Sequence, residues 1–588
     1  MVIAELAEYY DFLYAQGLVL PPEFESVPIT HLILLTKDGR VDSIKDWRVR
    51  ETVTDRKGRE RERVTPRMTV LPKRFSKSGM SNIVEHRPDY LFGLRAEKDG
   101  SLTAESSNGN LEKHHEACVR KNLEFLEGIH SPVAEAYRNF LLTWVPESET
   151  WNENLASISD QMERAYFAFA LADDQDALLH EDELIKEKWI SYVDSYYPTG
   201  GIGQCCITGA RGSIPLTHDR LIGVPGAQAR SSMICYNNPS ELSYGQVQSQ
   251  NSCVGMGTMK KYVSAFNYLM DGKDHKVVFD DLTILFWSSG GSREEEDIFR
   301  QFLSDDGNGR EGNDENWDAA FRTALLKAHK WKLGGKERDF LEDRSGKQDF
   351  YIVGLKPNGG RVAVVSYKHG TLPDIFDRID AFESEIQTGE TPFMMSLNQV
   401  RYAIMSGSKN YDHTLLEEIE RSVLEGLPYP EAMAGTLLSL VGKDGKLTRA
   451  RLGLMKAYLR RNHKEDVPMA LDRQKKDKAY LTGRLFAVAR KTQEDGARRD
   501  INRTLFDKYF KQVRISPEAT IPKVRDSYEY YLKKVPNPGR YGREMTEITE
   551  LMEGEYPSGP QDSRSQVLFL AGFDDQYNNF FKKSEDAV

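Results

Sequence analysis

Apolar positions along the chain change period several times, and each change predicts an element. In YYDFLYAQG the apolar residues fall on one helical stripe, and Gly17 stands where a helix C-terminus wants a positive φ. THLILLTKDGRVDSI predicts two short strands around a Lys37-Asp38-Gly39 turn. CVRKNLEFLEGI and QMERAYFAFALADD read as helices with an acidic surface. From about residue 195 to 260 the texture shifts to Gly, Ser, Gln, Asn and Pro among short apolar runs, a composition of turns and exposed backbone. Strands return in DDLTILFWSS and in DFYIVGLKPNGGRVAVVSYKHG, where alternating runs flank a Pro357-Asn358-Gly359-Gly360 turn. The stretches GGSREEED and LSDDGNGREGNDEN between them read as an acidic surface loop. Beyond about residue 375 the pattern is helical, through SLNQVRYAIM, KLTRARLGLMKAYLRR, AYLTGRLFAVARKTQ and DKYFKQV. In the third of these, Leu481, Leu485 and Val488 share one face, flanked by Arg484 and Arg490.

The predicted class is α+β: a mixed α/β N-terminal part with hairpins and a helical insertion, followed by an all-α C-terminal bundle. The division places an α/β region at 1–97, an acidic helical insertion at 98–194, a turn-rich and hairpin region at 195–375, and the helical bundle at 376–588. A chain of 588 residues exceeds what one hydrophobic core usually serves, so several domains are expected.

Charge changes the picture only after it is divided along the chain. The net charge of −11 opposes a nucleic-acid partner on average, yet residues 37–77 hold 14 Lys/Arg against 7 Asp/Glu, and residues 441–543 hold 27 against 12. Residues 97–188 run the other way, with 8 against 20. Blocks sorted this strongly offer positive surfaces to one partner and negative surfaces to another.

Familiar chemistry is missing from the motifs. There is no Walker loop, GxSxG, HExxH or kinase set, and His114-His115 sits in an acidic amphipathic helix without an HD pair. The five cysteines, at 118, 205, 206, 235 and 253, have neither metal-ligand spacing nor a disulfide framework, and read as small buried thiols in a reducing compartment. No catalytic residue, metal or cofactor is expected. Glu5, Glu8 and Asp11 interrupt any secretory signal, and no apolar run is long enough to span a membrane, so the expected location is cytoplasmic.

CCITG, IPLTH, GVPGAQ, SYGQVQSQN and YVSAFNYLM occur in an order and spacing that closely resemble the central signature of the type I-C CRISPR Cascade large-subunit family. LAEYYDFLYAQG, LTILFW, FYIVGLKPNGGRVAV, AYLTGRLFAVA and FLAGFDDQYNNFF extend the resemblance over nearly the whole chain. It implies a non-catalytic subunit of a crRNA-guided complex that contains backbone, RNA-processing and small subunits. Such a subunit recognises the short flanking motif (PAM) of duplex target DNA, helps open it, holds the displaced single strand and recruits a separate helicase-nuclease. The alternative is a CRISPR-associated endoribonuclease that trims guide precursor. In the family the C-terminal helical part is also made from an internal start, and Met469 lies at the matching place.

Three residue sets are expected to do this work. Duplex gripping and PAM reading fall to Arg56, Lys57, Arg59, Arg61, Arg63, Lys73, Arg74, Lys77, Ser78, Ser81 and Asn82, with Asn82 as first choice for the base reader. Strand separation falls to Gln228, Arg230, Ser231, Ser232, Gln246, Gln248, Gln250 and Asn251, one glutamine acting as a wedge. A single-strand track falls to Arg449, Arg451, Arg460, Arg461, Arg484, Arg490, Arg498 and Arg499.

Overall fold

The computed structural model describes residues 2–54, 60–74, 81–105, 109–291, 293–304, 348–389, 393–406, 411–497 and 503–581. The chain forms two compact units, one from residues 1–221 and 232–268, the other from 222–231 and 269–588. Among the described residues no helix is long and apolar enough to cross a membrane.

The first unit opens with α1 (Val2–Ala15), which buries Leu6, Tyr9, Tyr10 and Leu13 and closes on Gly17 at φ 68°. Its small sheet combines β2 (His31–Leu35) with β3 (Val41–Asp46) as the predicted hairpin. β1 (Phe24–Ile29) pairs instead with β6 (Arg67–Pro72), and between them β4 (Val49–Thr54) and β5 (Glu60–Thr65) make a separate ribbon. α2 (Pro88–Phe92), β7 (Arg95–Ala96) and β8 (Leu102–Thr103) lead into α3 (Asn110–Leu126) and α4 (Pro132–Thr143). After the short α5 (Glu153–Ala156), β9 (Phe167–Leu171) returns to pair parallel with β2, and α6 (Glu183–Tyr192) follows.

β9 corrects the helical reading of QMERAYFAFALADD. All five residues of FAFAL are buried, as are all five of HLILL in β2. A parallel strand covered on both faces shows a continuous apolar run rather than alternation, and so short a run looks alike for strand and buried helix. The acidic segment is mostly helical, in α3, α4, α5 and α6, and its β9 joins the sheet begun by β2. The core gathers β2, β9, Phe92, Phe125, Tyr137, Phe140 and Trp189.

Gly39, at the tip of the β2–β3 turn, has φ 85°, and a β-carbon there would lie 2.2 Å from the backbone nitrogen of Phe140 in α4. Gly39→Ala should therefore cost about 3 kcal/mol, from the left-handed backbone and the clash together. Urea unfolding checks this, and a loss under about 0.5 kcal/mol would show that the turn is not pinned against α4.

The same unit continues with the hairpin β10 (Thr199–Gln204) and β11 (Arg211–Pro215), a run of turns, and α7 (Met256–Met270). Cys118 and Cys205 are buried as expected of small thiols, but Cys206 is exposed and Cys235 and Cys253 are half-buried. His115 is buried against the Tyr90 carbonyl, while His114 stacks on the Tyr90 ring and pairs with Asp89 at 2.9 Å.

The second unit holds a four-stranded antiparallel meander of β12 (Lys276–Phe279), β13 (Leu282–Ser288), β14 (Asp349–Asn358) and β15 (Arg361–Thr371). Between β13 and β14 lies α8 (Arg293–Leu303), so REEED opens a helix and not a loop; most of LSDDGNGREGNDEN falls outside the described residues. Ten helices follow among the described residues: α9 (Leu372–Glu385), α10 (Leu397–Ile404), α11 (His413–Glu425), α12 (Glu431–Asp444), α13 (Arg449–Asn462), α14 (Lys478–Gly496), α15 (Leu505–Ile515), α16 (Pro517–Leu532), α17 (Pro538–Leu551) and α18 (Ser563–Asn579). One apolar core runs from the sheet into these helices. α14 and α18 cross backbone to backbone: a β-carbon at Gly483 would lie 2.0 Å from the Phe569 carbonyl oxygen, and one at Gly572 would lie 2.1 Å from that of Tyr480.

Candidate nucleic-acid interface

The β4–β5 ribbon carries the first basic block away from the core. Its register opposes Glu51 to Arg63 and Val53 to Arg61, so Arg61 and Arg63 share one face, while Arg50, Thr52 and Glu62 belong to the other. Glu60 to Val64 are all exposed, and no ribbon residue enters the apolar core. At the base, Arg48 and Arg50 bond the Asp46 carboxylate at 2.8 and 3.1 Å, and Arg48 above all holds that carboxyl well below its usual range. Arg67 stacks on Trp47 at 4.8 Å. Arg56, Lys57 and Arg59, between the two strands, lie outside the described residues.

In the continuation of that block the described residues engage the protein itself. Lys73 pairs with Asp219 at 2.6 Å and donates to the Tyr197 hydroxyl, and Arg74 pairs with Glu25 through both its guanidinium and its backbone N–H. Asn82 is only 6% exposed and Ser81 1%. Both surround the buried Glu85 carboxylate, which accepts from the Ser81 hydroxyl at 3.1 Å, the Asn82 N–H at 2.9 Å and the Arg87 guanidinium at 2.7 Å. Burial pushes the Glu85 carboxyl up, yet Arg87 and these donors hold it below its ordinary value. Asn82, expected as an exposed base reader, is instead buried, its N–H among the donors that a buried carboxylate needs. Lys77 and Ser78 lie outside the described residues.

The strand-separation set is divided between the units. Gln228, Arg230 and Ser231 belong to the second unit, where Ser231 is buried against the Gly359 carbonyl of the β14–β15 turn, while Ser232 and residues 246–251 belong to the first. Gln228, Arg230 and Gln246 are exposed. The remaining amides are internal braces. Gln250 donates to the Gly200 carbonyl at 2.7 Å and accepts from the Val247 N–H at 2.9 Å. Asn251 accepts from the Ser243 N–H at 2.9 Å and donates to the Gln248 carbonyl at 3.0 Å. Ser232 is buried and donates to the Ile234 carbonyl, and Gln248 is half-buried. What these braces hold outward is Tyr244, which lies in the SYGQVQSQN segment but carries no expected role from sequence.

The described members of the C-terminal arginine track, expected to follow a single strand, all have partners within the protein itself. Arg451 pairs with Asp444 at 2.7 Å and donates to the Ala403 carbonyl. Arg460 serves the carbonyls of Glu385, Gln387 and Val467, and Arg461 pairs with Glu385 at 2.7 Å. Arg484 is fully buried, with Glu547 at 2.7 Å and Gln576 at 3.0 Å. Arg490 pairs with Glu494 and lies over the rings of Phe506 and Tyr577. Arg449 is exposed, with its guanidinium over Phe393 and donating to the Thr388 carbonyl. Helix ends leave unpaired carbonyls, and between packed helices an arginine fork is a compact way to satisfy them. Arg498 and Arg499 lie outside the described residues, and Met469 is exposed between α13 and α14.

Among the described residues no cluster of His, Cys, Asp and Glu is placed to hold a metal ion. A family model described as CRISPR-associated protein (Cas_Csd1) matches residues 6–581. No curated protein matches the chain.

Proposed function

Since the chain belongs to the Cas_Csd1 family of CRISPR-associated proteins, we propose that it is the large subunit of a type I-C crRNA-guided surveillance complex, gripping the PAM duplex through its β4–β5 ribbon. On this reading guide pairing selects the target, and the chain itself cuts nothing. It works beside backbone, RNA-processing and small subunits, contributes to opening the target, and leaves cleavage to a recruited helicase-nuclease. The observation that carries the proposal is the exposed two-stranded ribbon, with Arg61 and Arg63 on one face and Arg56, Lys57 and Arg59 in the connecting sequence. A two-stranded ribbon fits the width of a DNA major groove, and its cations can neutralise phosphates on either wall.

The double variant Arg61→Ala, Arg63→Ala should weaken duplex binding on the order of tenfold near physiological salt. It should also flatten the plot of log affinity against log salt by roughly 2. Fluorescence anisotropy with a labelled duplex over a salt series reads both. Unchanged affinity and slope would remove the ribbon from the interface. Cleavage of labelled repeat RNA by the chain alone would favour the ribonuclease instead.

A further inference from the structure

We infer that Tyr244 is a stacking platform for an unpaired nucleobase; this rests on the nucleic-acid reading above and identifies which part of the ligand the loop meets. Residues 243–246 form a turn closed by the Gln246 N–H on the Ser243 carbonyl at 2.9 Å. Both central residues have positive φ, 51° at Tyr244 and 73° at Gly245, as in a type I′ turn. Gly, Asn and Asp enter that conformation easily, whereas a tyrosine is disfavoured there by its β-carbon.

Burial does not offset the strain, since the tyrosine is 101% exposed. Nor is the loop loose. The bonds of Gln250 to Gly200 and Val247, and of Asn251 to Ser243 and Gln248, brace it from within. The Ser249 N–H anchors it to the Leu216 carbonyl beside β11 at 3.1 Å. A rigid loop that holds an aromatic ring wholly in water, in a conformation that disfavours it, fits a partner that covers the ring. Leu242 and Val247 beside it, and Ile202 on the β10–β11 hairpin, are exposed too.

Charge selects the kind of partner. Residues 242–252 carry no charged side chain, and Glu241 spends its carboxylate on the N–H groups of Asn237 and Asn238. Arg211 on β11 is exposed. Nothing on the tip repels a phosphate backbone, and a single projecting ring offers one flat face instead of the concave pocket that a protein anchor fills. A nucleobase released from its pair presents a matching flat face, and stacking tolerates any base.

The test uses the full chain with a duplex that ends in a single-stranded fork, carrying 2-aminopurine at the junction. The unsubstituted protein should quench 2-aminopurine, and Tyr244→Ala should abolish that quenching and weaken fork binding roughly tenfold, while binding to blunt duplex is unchanged. Tyr244→Phe should retain both fork affinity and quenching. Equal fork affinity and quenching in Tyr244→Ala would overturn the inference and leave the ribbon reading intact. Normal fork binding together with loss of a co-expressed subunit from the purified Tyr244→Ala complex would overturn it in favour of a protein contact. Failure of the unsubstituted chain to bind duplex or fork even at low salt would overturn the wider reading and this one with it.

Discussion

Acidification from pH 6.5 to about 4 should destabilise the first unit and stabilise the second, so that their unfolding responds to pH with opposite sign. In the first unit, burial pushes the imidazoles of His86, His180 and His218 from 6.5 down to about 4. Between those values the unfolded chain takes up protons that the folded unit refuses. The stability these groups contribute is complete above 6.5 and is lost as pH falls toward 4, by up to about 3 kcal/mol for each histidine. In the second unit the sign reverses. Burial raises the carboxyls of Glu420 and Asp574 to about 8 and about 6. Over the range from their ordinary values up to these, the folded unit holds protons that the unfolded chain has released, so stability falls as pH rises.

Hydrogen exchange followed over β9 and over α14 at several pH values reads the two units separately. His180→Phe should flatten the acid limb of the first unit, because this ring lies against Trp47 and its Nδ1 is buried without a hydrogen-bond partner. Parallel pH responses of β9 and α14 would show that these buried groups do not govern the acid behaviour.

Replacing Lys456 by Met should cost the second unit about 3–5 kcal/mol, the range found when one partner is removed from a buried ion pair. Its side chain is fully buried; its Nζ lies 3.0 Å from Asp575 and donates to the Pro468 carbonyl at 2.9 Å. Asp575 also accepts from the Tyr480 hydroxyl at 2.9 Å, so a single carboxylate ties α13, α14 and α18 together. Without the ammonium it would be left with one neutral donor and with Asp574 as its chain neighbour. The paired variant Lys456→Met, Asp575→Asn should recover part of the loss, since no unpaired charge remains. Urea midpoints of the two variants check this. A Lys456→Met shift of less than about 1 kcal/mol would show that water reaches the site and replaces the lysine.

Wherever the causes lie within a few residues, the fold was legible. The Asp38-Gly39 and Asn358-Gly359 turns, the hairpin of β14 and β15, and the helices after residue 375 all stand as their local patterns imply. FAFAL reads as helix from sequence because five apolar residues carry no period of their own, and only pairing with β2, more than a hundred residues earlier, makes them a strand. The ribbon of the candidate site could be seen in its charge, but the reader and the track could not be assigned.

Sequence alone determined the family, the mixed class, the hairpins and the helical C-terminal part, because turn chemistry and periodicity act between neighbours along the chain. Tertiary structure decided which cations face outward. Lys73 meets Asp219, Lys260 meets Glu23, Arg484 meets Glu547 and Lys456 meets Asp575, pairs separated widely in sequence. A charge goes to solvent or to a partner according to what packing brings within a few ångströms, and no local pattern records that distance.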